Sequence, residues 1–203
     1  MSKNQDSADS IFKINCPVCN SNKFFTNKKI VDIPNYGKIL LLTLICNECN
    51  YKVNDVYNLE SKKPLRYIFN CRKIGDLNVR VIKSGNSTIH IPEIGVDIEP
   101  GPSSEGYITN VEGILRRIEL ILELLKKNNK SPEETEKIIE KQEVMNAIFE
   151  GKYPFTLIIE DPTGNSCIIS DENLIIKDLS KKEIDELEKG YLFSLELDDL
   201  NDK

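Results

Sequence analysis

The spacing of apolar residues divides the chain into two strand-rich regions with a helical region between them. Short apolar runs bounded by turn residues predict strands at 28–33, 38–45, 51–56, 65–71, 78–82, 87–91, 96–99, 155–159, 165–169 and 174–176. From residue 65 onward these runs recur about every ten residues, which is typical of a β-sandwich or rolled barrel.

The region between the two groups of strands has helical spacing. Apolar residues recur every three or four positions at Val111, Ile114, Leu115, Ile118, Ile121, Leu122 and Leu125. Thr109 and Glu112 form a capping-box pattern that predicts the start of this helix. Ser131, Pro132 and Glu134 predict the start of a second helix in the same way. The two helices should form a hairpin inserted into the β-domain.

These elements predict four segments and a fold that is mainly β with α. The segments are a flexible N-terminus at 1–13, a ribbon at 14–60, a β-sandwich-like domain at 61–179 with its helical hairpin at 109–150, and a C-terminal helix and acidic tail at 180–203. Within the last segment, the helix is expected at 180–189.

Composition and charge narrow the classes of protein. Hydrophobic residues make up 39% of the chain and charged residues 30%, which indicates a folded protein rather than a disordered one. No apolar run approaches the roughly 20 residues that cross a bilayer, and residues 1–10 lack the apolar core of a secretion signal. We therefore expect a cytoplasmic protein that is not bound to a membrane. The net charge is −6, with 13 acidic and six basic residues from position 151 onward, which argues against nucleic acid as the partner.

Four of the six cysteines form two Cys-x-x-Cys pairs, Cys16 with Cys19 and Cys46 with Cys49. Without an export signal, such pairs indicate metal binding rather than disulfides. The 26 residues between the pairs are enough for a two-stranded hairpin that returns the second pair to the first. Four sulfur ligands leave no open position for substrate, so the pattern predicts one structural zinc ion. A redox dithiol pair and an iron–sulfur cluster are the alternatives.

The other reactive side chains favour structural roles. Asn20 and Asn50 follow the two cysteine pairs, where a left-handed backbone is expected, and Asn tolerates that conformation. Cys71 and Cys167 lie in apolar runs and should be buried. His90 is the only histidine, so a metal centre of the cupin type is not expected, and we assign His90 a packing or surface role. The chain also lacks a phosphate-binding Gly-x-x-x-x-Gly-Lys loop. We therefore expect a protein that is not an enzyme.

An ordered set of motifs resembles the ZPR-type zinc-finger family. It consists of the cysteine hairpin with Ile33-Pro34, then Gly75-Asp76-Leu77, Lys83-Ser84, Ile91-Pro92-Glu93, Thr109-Asn110-Val111-Glu112-Gly113 and Asp161-Pro162-Thr163-Gly164-Asn165-Ser166. The similarity covers residues 15–170 or so. Family members with two modules are eukaryotic, whereas this chain has one and resembles the shorter archaeal version. It departs from many relatives in having Asn20 and Asn50 where they have glycine.

The resemblance implies a fold and a function. The family module joins a zinc finger to a double-stranded β-helix with an inserted helical hairpin, and Cys16, Cys19, Cys46 and Cys49 correspond to its zinc ligands. Members act as partners and folding chaperones of translation elongation factor one-alpha, and we expect this role here. The alternative is an RNA- or DNA-binding zinc ribbon, based on the lysines around the cysteines: Lys23, Lys28, Lys29 and Lys38. The sequence leaves the oligomeric state open.

Overall fold

The computed structural model describes residues 15–60, 63–101 and 103–187. In these ranges the chain forms eleven strands and three α-helices, together with 3-10 turns at Ile74–Asn78 and Pro92–Ile94. The elements are β1 (Phe24–Ile33), β2 (Gly37–Cys46), β3 (Lys52–Asn58), β4 (Leu65–Cys71), β5 (Arg80–Lys83), β6 (Thr88–Ile91), β7 (Val96–Ile98), β8 (Tyr107–Asn110), α1 (Val111–Asn128), α2 (Pro132–Phe149), β9 (Phe155–Asp161), β10 (Cys167–Ile169), β11 (Leu174–Asp178) and α3 (Lys181–Glu186).

The strands form three antiparallel sheets. Strands β1, β2 and β3 make a ribbon in which consecutive strands pair. The remaining strands form a five-stranded sheet in the order β11-β4-β9-β6-β7 and a three-stranded sheet in the order β10-β5-β8. Neighbours such as β4 and β9 are distant in sequence, as in a double-sheet jelly roll. The fold class predicted from sequence, a ribbon followed by a β-sandwich-like domain with a helical insertion, is confirmed.

The core of the β-domain follows from strict alternation along its strands. On β9, Phe155, Leu157 and Ile159 are buried at every second position, so one face of the strand points inward. Their side chains belong to the same core as Ile114 and Ile118 of α1. The helical repeat read from the sequence thus identifies the face of α1 that covers this core.

Two predicted boundaries in the β-domain are wrong. Helix α1 begins at Val111 with Asn110 as its N-cap, whose side-chain oxygen accepts from the N–H of Gly113 at 2.8 Å. Thr109, the predicted cap, belongs instead to β8, which the sequence pattern did not predict. Because β8 pairs with β5, the backbone stays extended through Thr109. The N-cap is therefore Asn110, one residue later than predicted.

The predicted strand at 78–82 is also shifted. The chain forms a 3-10 turn at Ile74–Asn78, and the strand begins at Arg80. The Asp76 carboxylate accepts from the backbone N–H groups of Arg72 and Lys73, at 2.8 and 3.2 Å. These bonds stabilise the turn, in agreement with the turn-forming role predicted for Gly75 and Asp76.

The second and third helices start where the sequence predicts. Ser131 caps α2 by accepting from the N–H of Glu134 at 3.5 Å, but its own N–H donates to Asn129 Oδ1, so the reciprocal bond of a capping box is replaced. At α3, Ser180 and Glu183 form the complete box. Helix α3 ends at Glu186, because the backbone of Leu187 is already extended, so the predicted end at residue 189 is wrong. The acidic tail lies outside the described residues.

The two isolated cysteines are buried, as predicted. Cys71 is 4% exposed and Cys167 is 9% exposed, and both belong to the core of the β-domain. Their packing role follows from their position on inward-facing strand sites. None of the helices in the described ranges combines the length and apolar character that a bilayer-spanning helix requires.

Candidate metal centre

Each cysteine pair lies in a tight turn of the same geometry. In the first turn the N–H of Cys16 donates to the Ser21 carbonyl at 2.9 Å, and the N–H of Asn20 donates to the Cys16 carbonyl at 2.8 Å. In the second, Cys46 donates to the Tyr51 carbonyl at 2.8 Å and Asn50 to the Cys46 carbonyl at 2.9 Å. The two turns therefore present their sulfurs in equivalent ways.

The predicted left-handed residues occupy matching positions in the two turns. Asn20 has φ of 56° and Asn50 has φ of 59°. This conformation lets the chain reverse direction after the second cysteine of each pair, and asparagine adopts it at lower cost than most other residues with a side chain. Asparagine in place of glycine is therefore compatible with both turns.

The β1–β2 hairpin brings the two turns together. Phe24 at the start of β1 pairs with Cys46 at the end of β2, so the full length of the hairpin separates the cysteines from its Asn35 turn. The four sulfurs of Cys16, Cys19, Cys46 and Cys49 all lie within 4.8 Å of one another. Sequence reasoning therefore selected four residues that the fold gathers into one cluster.

The cluster has the dimensions of a tetrahedral zinc site. Cys16 Sγ lies 3.6 Å from Cys49 Sγ, and Cys19 Sγ lies 3.5 Å from Cys46 Sγ. Four sulfurs about 2.3 Å from a central zinc ion would lie roughly 3.8 Å apart. A small outward movement of the sulfurs accommodates the ion, so the donor set and its spacing fit zinc.

The surroundings of the Cys46 sulfur favour negative charge. Backbone N–H groups of Cys49 and then Glu48 donate to the sulfur of Cys46, and they lower the pKa of this thiol to about 7 against the opposing effect of burial. A thiolate is the form that binds metal. Backbone donors of this kind also offset the charge of a bound thiolate.

The tip of the ribbon has only a small apolar core. Cys16 and Cys46 are buried, whereas Cys19 and Cys49 lie at the surface. The other buried side chains of this cluster are Phe24, Leu44 and Val53, with Tyr51 stacked on Phe24 at a ring distance of 6.3 Å. This small number of apolar side chains cannot offset the conformational entropy that the tip loses on folding. A bound metal ion would therefore stabilise the folded tip.

The opposite end of the ribbon is part of the β-domain. Ile33, Tyr36 and Ile39 belong to the main core. The Tyr36 hydroxyl donates to the Asn165 carbonyl at 3.2 Å, and the N–H of Asn58 donates to Asn165 Oδ1 at 2.9 Å. The ribbon is thus joined to the loop after β9 by both apolar packing and hydrogen bonds.

A buried carboxylate organises this loop. Asp161 is fully buried and accepts from the N–H groups of Thr163, Gly164 and Ser166, at 2.7, 3.1 and 2.6 Å. It also accepts from the Ser84 hydroxyl at 2.8 Å. Two motifs of the family resemblance, 83–84 and 161–166, therefore meet at one point in the structure. The turn-forming role predicted for Asp161 holds, but the loop also fixes the ribbon.

Sequence reasoning named Lys83 only as part of a family motif and did not name Asp55, so it missed that both charged side chains are buried beneath this junction. Asp55 of β3 accepts from the Gly85 N–H at 3.0 Å, and burial raises the pKa of its carboxyl. Burial lowers the pKa of Lys83 to about 8, although the charges of Asp161 and Asp55 oppose this change. Lys83 donates to the Ser84 carbonyl at 2.8 Å. The sequence around Lys83 gave no sign of its burial, because the charges that face it, those of Asp55 and Asp161, come from distant segments.

His90 forms hydrogen bonds with two carboxylates on the outer face of the five-stranded sheet. Its Nδ1 lies 2.6 Å from Asp97 Oδ1, and its Nε2 lies 3.1 Å from Glu160 Oε2. Arg66 pairs with Glu160 and also with Glu183 of α3, the latter at 2.9 Å. The predicted surface role of His90 agrees with this position.

Comparison with known proteins identifies the family. The sequence profile of the ZPR1 jelly-roll domain matches residues 75–191, and that of the ZPR1 zinc-finger domain matches residues 10–61. A ZPR1-like protein of Methanocaldococcus jannaschii is 38% identical over 185 residues, which cover 91% of this chain and 93% of that protein. The chain belongs to the ZPR1 zinc-finger family.

Other relatives define its place among ZPR1 proteins. A ZPR1-like protein of Pyrococcus horikoshii is 34% identical over 189 residues, with 91% of this chain and 84% of that protein covered. A Schizosaccharomyces pombe relative named zinc finger chaperone zpr1 is 29% identical over 161 residues, which are 76% of this chain and 35% of that protein. The chain thus spans about a third of this eukaryotic relative and has the size of the archaeal ones.

The family match confirms two expectations. The resemblance to ZPR-type proteins, in their single-module form, is correct. The chain has a ZPR1 zinc-finger domain with four cysteines placed to bind one metal ion, in agreement with one zinc. The domain limits predicted from sequence, 14–60 and 61–179, remain predictions, as does the assignment of each cysteine as a ligand.

Proposed function

We propose that this protein is a zinc-stabilised interaction factor that binds translation elongation factor one-alpha and assists its folding. The observation that carries the proposal is the closed cluster of four sulfurs in a ZPR1 finger that is firmly joined to a β-domain. The name of the S. pombe relative, a zinc finger chaperone, supports a role in protein interaction. The choice of partner rests on the family resemblance.

In this proposal Cys16, Cys19, Cys46 and Cys49 are the zinc ligands. A metal ion held by four protein sulfurs has no position for water or substrate, so it acts as a structural support. The bound ion would fix the two turns relative to each other and thereby hold the exposed tip of the ribbon in one shape. We accordingly propose a binding function without catalysis.

The ribbon and the helical hairpin offer apolar side chains to a protein partner. At the tip of the ribbon, Val18 is 64% exposed between two of the cysteines. On the outer side of α1, Leu120 and Leu124 are 65% and 59% exposed and lie one helical turn apart. Apolar side chains at a rigid surface are the groups that protein interfaces bury most effectively.

The ribbon lysines do not form a patch that would favour nucleic acid. Lys28 and Lys29 are neighbours on β1, so their side chains point to opposite faces of the ribbon. Lys23 pairs with Glu48. Phosphate binding by such a dispersed set would be weak and steeply salt-dependent. The geometry therefore favours a protein partner over RNA or DNA.

An affinity experiment with elongation factor one-alpha tests the proposal. The zinc-loaded protein, Cys46→Ser and Cys71→Ala would each be immobilised and exposed to the purified factor with GDP, with GTP and without nucleotide. We expect the wild type and Cys71→Ala to bind, because Cys71 lies in the β-domain core away from the sulfur cluster. Cys46→Ser should lose both its zinc and the factor.

The outcomes separate the two parts of the proposal. Absence of binding by the wild type in every nucleotide state would exclude this partner. Binding by Cys46→Ser at wild-type strength without zinc would place the contact on the β-domain or helical hairpin. A chaperone role further requires that substoichiometric wild-type protein raise the yield of active factor on dilution from denaturant. RNA binding that survives moderate salt would instead support the nucleic-acid alternative.

A further inference from the structure

Lys23 lies beside the second cysteine turn and is held there through its backbone. Its N–H donates to Ser21 Oγ at 3.1 Å, and its carbonyl accepts from the N–H of Asn47 at 3.0 Å. Asn47 directly follows Cys46, and Phe24, the residue after Lys23, pairs with Cys46. The backbone of Lys23 is therefore fixed against the turn that carries two of the four sulfurs.

The side chain of Lys23 forms an ion pair with Glu48. Glu48 stands between Cys46 and Cys49, so its carboxylate belongs to the same turn as two of the sulfurs. Both side chains of the pair are well exposed, 60% for Lys23 and 47% for Glu48. Because exposed ion pairs contribute little to folding stability, we expect this pair to act on the charge of the neighbouring site rather than on the fold.

A cluster of four zinc-bound thiolates is sensitive to nearby charge. The cluster is negative overall, because four thiolates outweigh the two positive charges of the zinc ion. A carboxylate close to the sulfurs raises the pKa of their thiols and favours protonation, which competes with metal binding. A cation at the same place has the opposite effect. The carboxylate of Glu48 is thus unfavourable for the metal unless another group neutralises it.

Lys23 is placed to neutralise this carboxylate. The pKa of Lys23 is raised, first by its hydrogen bond with Glu48 and by the charge of that carboxylate, and further by the charge of Cys46. The ammonium group therefore interacts with a sulfur of the cluster as well as with Glu48.

We propose that Lys23 neutralises Glu48 beside the sulfur cluster and thereby strengthens the binding of zinc by the ribbon. This inference rests on the proposed assignment of Cys16, Cys19, Cys46 and Cys49 as the zinc ligands. It gives a role at the metal site to a lysine on which the nucleic-acid alternative depends. Lys23 does not contact the metal in this proposal and acts through Glu48.

Three variants separate charge neutralisation from a purely structural contact. Lys23→Gln leaves Glu48 without its partner, Glu48→Gln removes the carboxylate, and the double variant removes both charges. Lys29→Gln is the matched control, because Lys29 is an exposed lysine five residues beyond Phe24 on β1. That separation is about 17 Å along the strand, about twice the screening length at physiological salt. The zinc affinity of each full-length protein is measured by equilibrium competition with a chelator, at low and at high salt.

We expect Lys23→Gln to weaken zinc binding by about two- to fivefold at low salt, which corresponds to the loss of one exposed charge pair. Glu48→Gln and the double variant should bind zinc at least as tightly as the wild type, because the carboxylate is gone in both. Lys29→Gln should equal the wild type. The deficit of Lys23→Gln should shrink at high salt, where the charges are screened.

The possible failures are distinguishable. Equal losses of zinc affinity in Lys23→Gln, Glu48→Gln and the double variant would overturn the proposal, since the pair would then act only as a structural contact. Wild-type affinity in Lys23→Gln would also overturn it and leave the four cysteines as ligands. A wild-type protein that binds no zinc would overturn the ligand assignment, and this inference with it.

Discussion

Replacing Asp161 by alanine should loosen the attachment of the ribbon to the β-domain. The Asp161 carboxylate accepts bonds from Ser84, Thr163, Gly164 and Ser166. Ser84 and Ser166 are themselves fully buried, so water cannot replace the lost acceptor at either one. The same loop carries Asn165, whose contacts hold the ribbon.

The magnitude follows from the donors that lose their partner. Each buried donor left unsatisfied costs about 1–3 kcal/mol. The fully buried donors of Ser84 and Ser166, together with the N–H of the buried Gly164, therefore give a loss of about 3–5 kcal/mol in the free energy of unfolding for Asp161→Ala. Asp161→Asn keeps one acceptor oxygen and should cost about half as much. Either loss is a large share of the roughly 5–15 kcal/mol typical of a folded domain.

Urea unfolding of the zinc-loaded protein, followed by far-ultraviolet circular dichroism, measures both variants. With a urea dependence of about 2 kcal/mol per molar, Asp161→Ala should lower the midpoint by about 2 M and Asp161→Asn by about 1 M. Asp171→Ala, which removes an exposed carboxylate in a nearby loop, serves as the control. If Asp161→Ala moved the midpoint no more than Asp171→Ala, the carboxylate would not organise this junction.

Three further expectations concern the metal site and the buried polar groups. Cys46→Ala should reduce bound zinc from one ion per chain to nearly none by elemental analysis, whereas Cys71→Ala should retain one; equal zinc in both would rule out Cys46 as a ligand. Gly106→Ala should lower the free energy of unfolding in urea by a few kcal/mol, because a Cβ at this position would lie 2.7 Å from the backbone nitrogen of Val56. Gly75→Ala should leave the free energy of unfolding nearly unchanged, because a Cβ there would have no atom within 4 Å. Since burial lowers the pKa of Lys83 to about 8, the unfolded chain binds more protons between pH 8 and pH 10. Wild-type stability should therefore rise relative to Lys83→Met by about 2–3 kcal/mol from pH 7 to pH 10, and parallel pH profiles would contradict this.

The metal cluster and the helical hairpin were predictable because their signals are local. Each cysteine pair defines its own turn, and Asn20 and Asn50 mark the residue where the backbone becomes left-handed. The β1–β2 hairpin between the two pairs then brings the two turns together. In the same way, the spacing from Val111 to Leu122 identifies the inner face of α1, although Ile121 and Leu125 of the same pattern are half-exposed.

The boundaries of the short strands were less predictable. Tyr107 and Ile108 are only two apolar residues before a helix, and nothing in their immediate sequence distinguishes a strand from a loop. Pairing with β5 makes them a strand, because it satisfies their backbone hydrogen bonds. That pairing also explains why the helix is capped by Asn110 rather than Thr109.

The sequence by itself determined the composition of the zinc-finger tip, the β-rich character of the main domain and the position of the helical insertion. Only the tertiary structure decided how these parts are joined. Asn58 and Asn165 are 107 residues apart, and Ser84 and Asp161 are 77 residues apart, yet each pair is in hydrogen-bond contact. Turn and periodicity signals extend over a few residues, whereas these contacts depend on which strand faces are buried together, which is a property of the whole core.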